Sequence, residues 1–127
     1  MPSHTLLVVE TDVQLSVALE LFFRGRGYAV RVANTTSEAM SMASGEAADV
    51  VLIGNLPDLM DAGTLAQKLR AIIGPRAQII ILSHAIDIAD ADLVIPVGAH
   101  PRAILDGIRT LARRRASTRP IILDEAS

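Results

Sequence analysis

Asp49-Val50-Val51-Leu52-Ile53-Gly54-Asn55-Leu56-Pro57-Asp58-Leu59-Met60-Asp61 is the stretch on which the reading of this 127-residue chain turns. An unbroken apolar run rich in β-branched residues gives way to turn formers. That pattern predicts a short strand buried on both faces, opening at its C-terminal end into a loop. In an open parallel sheet, ligands and chemistry gather at that C-terminal edge. The residue standing there is Gly54, which has no side chain to contribute.

Working outward, apolar strands alternate with helical patterns on both sides of this stretch. Leu6-Leu7-Val8-Val9 predicts a first, central strand ending at Glu10-Thr11-Asp12, where Asp12 or Thr11 can cap a helix. Leu15, Ala18, Leu19 and Phe22 lie at helical spacing and supply that helix's expected buried stripe, with Gly25 and Gly27 closing it. Tyr28–Val32 predicts a second strand, and Thr35-Thr36-Ser37-Glu38 is a capping-box pattern that opens a short helix ending at Gly45. After the opening stretch, a helix from about Ala62 to Ile73 is stopped by Gly74-Pro75. Gln78–Leu82 and Leu93–Ile95 predict the last two strands. Pro101 begins a final helix with Ile104, Leu105, Ile108, Leu111 and Ala112 inward, ending at Arg113-Arg114-Arg115.

This alternation predicts an α/β, flavodoxin-like, doubly wound parallel sheet of five strands in the order 2-1-3-4-5. One connection is too short for the pattern. Only the nine residues His84 to Asp92 separate Ser83 from Leu93, and three of them are aspartates. A parallel crossover usually takes at least ten to twelve residues, roughly speaking, most of them helical. The helix between the fourth and fifth strands is therefore expected to be missing or much reduced. The expected domain spans residues 1–115, with 116–127 a tail or linker.

Composition narrows the function. The chain has no cysteine, so disulfides and thiolate metal sites are excluded. Its formal net charge is −2 and its aromatics are only Phe22, Phe23 and Tyr28, which argues against binding nucleic acid by charge or by stacking. No apolar run is long enough to span a membrane, and Met1–Thr5 lacks the features of a signal peptide, so a cytoplasmic location is expected. His84 and His100 have no partner at metal-ligand spacing and read as loop histidines; no metal and no cofactor are expected. Arg113–Arg115 reads as a solvated, dipole-compensating helix end.

With these residues placed, the chain resembles the receiver domain of bacterial two-component response regulators over about Thr5 to Arg115. Leu7-Val8-Val9-Glu10-Thr11-Asp12 is similar to the family's first strand and acidic cluster, Gly27-Tyr28-Ala29-Val30 to the start of its second strand, and Asp49–Ile53 to its third. Asp61 with Leu65 to Arg70, and Ile80-Ile81-Leu82-Ser83, extend the resemblance. The resemblance implies a phosphoryl-transfer switch: an aspartate nucleophile, acids that hold Mg²⁺, a lysine that offsets phosphoryl charge, and a Ser/Thr that moves onto the phosphate. Carried over position by position, the acids fall on Glu10 and Thr11, the phosphoacceptor on Gly54, the switch hydroxyl on Ser83, the lysine on Val97 and its proline partner on Gly98; no lysine occurs after Lys68.

The nucleophile, one acid and the cation are thus replaced, and the resemblance implies a degenerate pseudo-receiver, not an enzyme. It would work as a protein-interaction module, independent of phosphorylation, in the manner of receivers at the N-terminus of larger transcriptional regulators. Two other functions are open on the sequence. One is phosphoryl acceptance by a displaced aspartate, Asp58 or Asp61, which otherwise read as loop acids or a helix cap. The other is small-ligand sensing in the emptied acidic pocket. If the crossover helix is missing, Ile79, Ile81, Val94 and Ile95 lose cover, and a partner-binding or homodimer face formed by Ile86, Ile88, Val94 and Ile95 is expected.

Overall fold

The apolar run at the centre of the chain forms β3, Val50–Ile53, and every one of its four side chains is buried. In the computed structural model, which describes residues 4–46, 48–54, 61–83, 88 and 90–126 (side chains as far as 114), β3 lies in the middle of a five-stranded sheet. The strands β1 (Thr5–Val9), β2 (Ala29–Ala33), β3, β4 (Gln78–Leu82) and β5 (Leu93–Ile95) are all parallel and ordered β2-β1-β3-β4-β5. The helices are α1 (Val13–Arg24), α2 (Thr36–Gly45), α3 (Ala62–Ile73) and α4 (Pro101–Ala126). This is the flavodoxin-like arrangement expected from the alternation of elements.

Side-chain alternation along the strands divides the core into two layers. Leu7, Val9, Val51, Ile53, Ile79 and Ile81 pack with Ala39 and Ala43 of α2 and with Leu65, Ala66 and Leu69 of α3. Leu6, Val8, Val50, Leu52 and Ile80 face the other way, onto Leu19 and Phe23 of α1 and Ile104, Leu105 and Ile108 of α4. Both faces are covered, as a parallel sheet requires.

Caps form where the sequence places them. Asp12 caps α1 by accepting the Leu15 N–H at 3.2 Å. Thr35 caps α2 through the Glu38 N–H at 3.0 Å, while the Glu38 carboxylate reaches back to the Asn34 N–H at 2.7 Å, one residue before the position a capping box would give it. His100 Nδ1 accepts the Arg102 N–H at 3.1 Å where α4 begins.

Three expectations change. The buried residues of α1 are Ser16, Leu19 and Phe23, one position round from the expected stripe, and Leu15 and Ala18 are exposed. This helix is apolar on nearly every side, so spacing alone could not select its face. The last helix does not stop at Arg113–Arg115 but continues to Ala126. It passes Arg113–Arg115 because Ala116 to Arg119 contains no breaker, and it runs on through Pro120, which local pattern would read as a stop.

The third change concerns the short crossover. His84 to Asp87 and Ala89, and with them the candidate Ile86, lie outside the described residues; those that are described, Ile88 and Asp90 to Asp92, are not helical, and Asp90 has φ 68°. Even so, Ile79 and Ile81 are fully buried, with Ile88 and Ala91 packed against their cluster. Ile95 is only 7% exposed because it points to the opposite face, into the α1–α4 layer. The expected uncovered face therefore does not form from these three residues; Ile88 and Val94 remain partly exposed.

Candidate functional site

The parallel register brings the C-terminal ends of β1, β3 and β4 side by side, and with them Glu10, Gly54 and Ser83. Each edge residue continues the ladder by one hydrogen bond: Glu10 N–H to Ala33 O at 2.9 Å, Gly54 N–H to Val9 O at 2.8 Å, and Ser83 N–H to Ile95 O at 2.9 Å. The sheet thus collects three of the residues that sequence assigned to the edge.

Glu10 dominates the middle. It is 1% exposed, which is unusual for a glutamate. Its Oε2 accepts the Asp12 N–H at 3.0 Å, and its backbone carbonyl accepts Asn34 Nδ2 at 2.7 Å. These bonds hold the carboxylate over β3. A Cβ built on Gly54 would collide with Glu10 Oε1 and stand 3.1 Å from its Cδ. The place that any side chain at position 54 would enter is taken by the Glu10 carboxylate. A side chain at position 54 would require the end of the Glu10 side chain to move.

The other positions that the sequence assigned to this edge are placed as follows. Thr11 is exposed. Asp12 spends its carboxylate on the α1 cap. Val97 is 40% exposed and lies in a turn closed by Ala99 N–H to Pro96 O at 3.2 Å, with Gly98 at φ 88°. A positive φ at the third residue of such a turn favours glycine, so Gly98 is accounted for by local backbone geometry. Among the described residues, no three His, Asp or Glu side chains cluster as metal ligands.

Of the two candidate substitute acceptors, Asp58 lies outside the described residues. Asp61 is the N-cap of α3, its Oδ1 accepting the Thr64 N–H at 2.7 Å. Hydrogen bonds from the Thr64 backbone and side chain lower its pKa below the usual 3.8. The shift favours the ionised cap in the folded state, so its stabilisation is present above the unfolded pKa and is lost as pH falls through the folded value. Asp61→Ala is accordingly expected to lower Tm at pH 7, with the deficit closing in acid below about pH 4. Thermal melts of the two proteins across pH 2–7 check this.

Asn34 was not singled out by the sequence reading, although it fixes the Glu10 backbone. Its signal is the polar residue directly before the Thr35 cap. Arg70, seen only as part of a motif, also proves structural. Its guanidinium donates to Ala77 O at 2.5 Å and Asp90 O at 3.2 Å and pairs with Asp92 at 2.9 Å. Asp92 in turn accepts the Ile79 N–H at 2.7 Å. This network ties α3 to the short crossover.

Comparison with known proteins gives the fold relatives. No family model matches the chain. A 69-residue stretch, 54% of the chain, is 38% identical to the transcriptional activator protein PfeR of Pseudomonas aeruginosa, and it spans 23% of that protein, so the chain covers about a quarter of this relative. A CheY-like response regulator receiver domain protein from Methanospirillum hungatei superposes with TM-score 0.80 at 21% identity, over 92% of this chain and 99% of that one. A response regulator from Burkholderia pseudomallei, whose structure holds a phosphorylated aspartic acid, gives TM-score 0.75 at 23% identity over 92% and 73% of the two chains. The receiver domain of Francisella response regulator 1452 gives 0.77 at 19% identity over 89% and 99%. These neighbours are receiver domains, and the chain shares their fold.

Proposed function

We propose that this chain is a receiver-type signalling domain that acts by binding a protein partner, without being phosphorylated and without enzymatic activity. The observation that carries this reading is the buried Glu10 carboxylate held in the space a side chain at position 54 would need. An aspartyl phosphate requires a carboxylate nucleophile facing an incoming phosphoryl group, with cations to offset the charge. Here the acid just past β1 stands in that approach, position 54 is glycine, and the cation position is Val97.

A protein-binding role is supported by α1. Val13, Val17 and Leu21 recur at four-residue spacing and are 61%, 47% and 67% exposed. Such a stripe on a helix already packed by its other face is a surface for a partner. The partial likeness to PfeR supports a place in a larger transcriptional regulator, in which the partner would be an output module or a second copy of the chain. Among the described residues, no helix is long and apolar enough to cross a membrane.

Treatment with acetyl phosphate and Mg²⁺ followed by intact-mass measurement tests the reading. The mass is expected to be unchanged. A gain of one phosphoryl group mapped to Asp58 or Asp61 would replace this function with phosphoryl acceptance by a displaced aspartate.

A further inference from the structure

At the opposite edge of the sheet, where β1, β3 and β4 begin, a cavity of about 520 Å³ opens between the strand ends and α4. Its size falls within the range of small-molecule sites, which is roughly 300–1,000 Å³. Tyr28, Val50, Ile108 and Ala112 supply apolar walls. The Tyr28 ring is fixed by edge-on packing against Phe23, with centroids 5.4 Å apart.

Gln78 lies in the same cavity and is only 8% exposed. It is the polar residue of a strand that otherwise reads Ile-Ile-Ile-Leu. It shares the register position of Val50, on the face toward α4. Its backbone N–H goes to Asp49 O at 3.0 Å, but among the described residues its side-chain amide has no hydrogen-bond partner. Its amide atoms are not wholly shut off from solvent, so they offer a donor and an acceptor to whatever occupies the cavity.

The charged residues of the cavity wall are arranged asymmetrically. Arg76 and Arg109 line it, against one acid, Asp49. The Asp49 carboxylate is directed at the Thr5 N–H at 2.9 Å and lies 3.9 Å from His4 Nδ1. Arg109 has no carboxylate partner among the described residues; burial raises the pKa of the Tyr28 hydroxyl, and the Arg109 charge offsets only part of that. Positive charge at the mouth, apolar walls and one unpaired amide inside describe a particular kind of guest. Inorganic phosphate would leave the apolar walls unused, and a neutral hydrocarbon would leave Gln78 and Arg109 unanswered.

We propose that this cavity is a binding site for a small organic carboxylate with an apolar body, the carboxylate held by Arg109 and the body lying against Tyr28 and Ile108 over the Gln78 amide. The proposal does not depend on whether the Gly54 edge can be phosphorylated, since the two sites lie at opposite ends of the strands.

Titration of the isotope-labelled full chain with benzoate, phenylacetate, indole-3-acetate and hexanoate, each beside its neutral amide and beside inorganic phosphate, tests it. At least one carboxylate is expected to move the Gln78 side-chain amide and the backbone amides of Tyr28, Val50 and Arg109, leaving Gly54 and Ser83 in place. Arg109→Gln is expected to weaken that binding about tenfold. Gln78→Leu is expected to weaken it while holding or raising Tm, because it removes an unpaired amide from an apolar strand. The proposal fails if no carboxylate shifts these resonances, if the neutral amides or phosphate shift them equally, or if the shifts centre on Gly54. A Gln78→Leu protein that binds normally but melts earlier would make Gln78 structural and also overturn it.

Discussion

Gly54→Asp is expected to gain no phosphoryl group from acetyl phosphate and to lose about 1 kcal/mol of stability, the usual worth of the hydrogen bond that Glu10 gives up when it moves. The new Cβ meets the Glu10 carboxylate, so Glu10 must swing out of a position where it accepts the Asp12 N–H and is almost wholly buried. Two carboxylates would then share one pocket. Like charges in contact disfavour the ionised form of at least one of them, and the nucleophile must be ionised. Removing Glu10 as well, in Glu10→Ala/Gly54→Asp, is expected to recover part of the lost stability, because the steric conflict goes. It should not restore efficient phosphorylation, since Val97 still offers no cation. Urea unfolding and intact mass on the single and double variants check both parts. Additive stability losses in the double variant would mean that Glu10 and position 54 do not meet.

Arg70→Ala is expected to cost about 2–3 kcal/mol, below the value for a fully buried pair because Arg70 and Asp92 are 21% and 29% exposed. The variant leaves Asp92 without its cation and strips the donors from Ala77 O and Asp90 O. Lysine should rescue only part of the loss, since one ammonium cannot reproduce the fork that reaches several acceptors at once. A double-mutant cycle with Asp92→Ala measures the pair directly, and strong non-additivity is the expected result. The further consequence is local: hydrogen exchange at Ile79 and Asp92 should accelerate in Arg70→Ala more than exchange in β1. Equal acceleration throughout would mean that the network does not anchor the crossover.

Much of this fold is written in short-range pattern. β4 and β5 fall where their apolar runs and flanking turn formers place them, and β2 and β3 begin one residue later than the sequence implied. The parallel order follows from alternation and handedness, which few other arrangements satisfy. The face of α1 was not legible. With Val13, Leu15, Val17 and Leu21 apolar yet exposed, hydrophobic periodicity points in several directions at once, and contact with β1 and β2 decides the phase.

The crossover shows a different limit. Its nine residues are few for a regular helix, but counting residues cannot show which contacts Ile88 and Ala91 make with the sheet. Ile88 and Ala91 packing on the α3 side, with Arg70 reaching across to Asp92, are long-range contacts that local spacing does not encode. The candidate site was legible as a set of replacements at Glu10, Thr11, Gly54, Ser83 and Val97. That Glu10 itself fills the place beside Gly54 was not, because the two residues are distant in sequence and meet only through the register of β1 with β3. Likewise Gln78 looks like an ordinary polar strand start until the fold turns it toward α4.

The most direct test of the closed edge is an amide spectrum of the labelled chain recorded before and after addition of beryllofluoride with Mg²⁺. Beryllofluoride mimics a phosphoryl group on an aspartate and needs no transfer chemistry. The resonances of Gly54, Ser83 and Val97 should stay where they are, together with those of Glu10 and Asn34. A second set of peaks for these residues, growing with beryllofluoride and absent with either component alone, would show that the edge accepts a phosphoryl group after all.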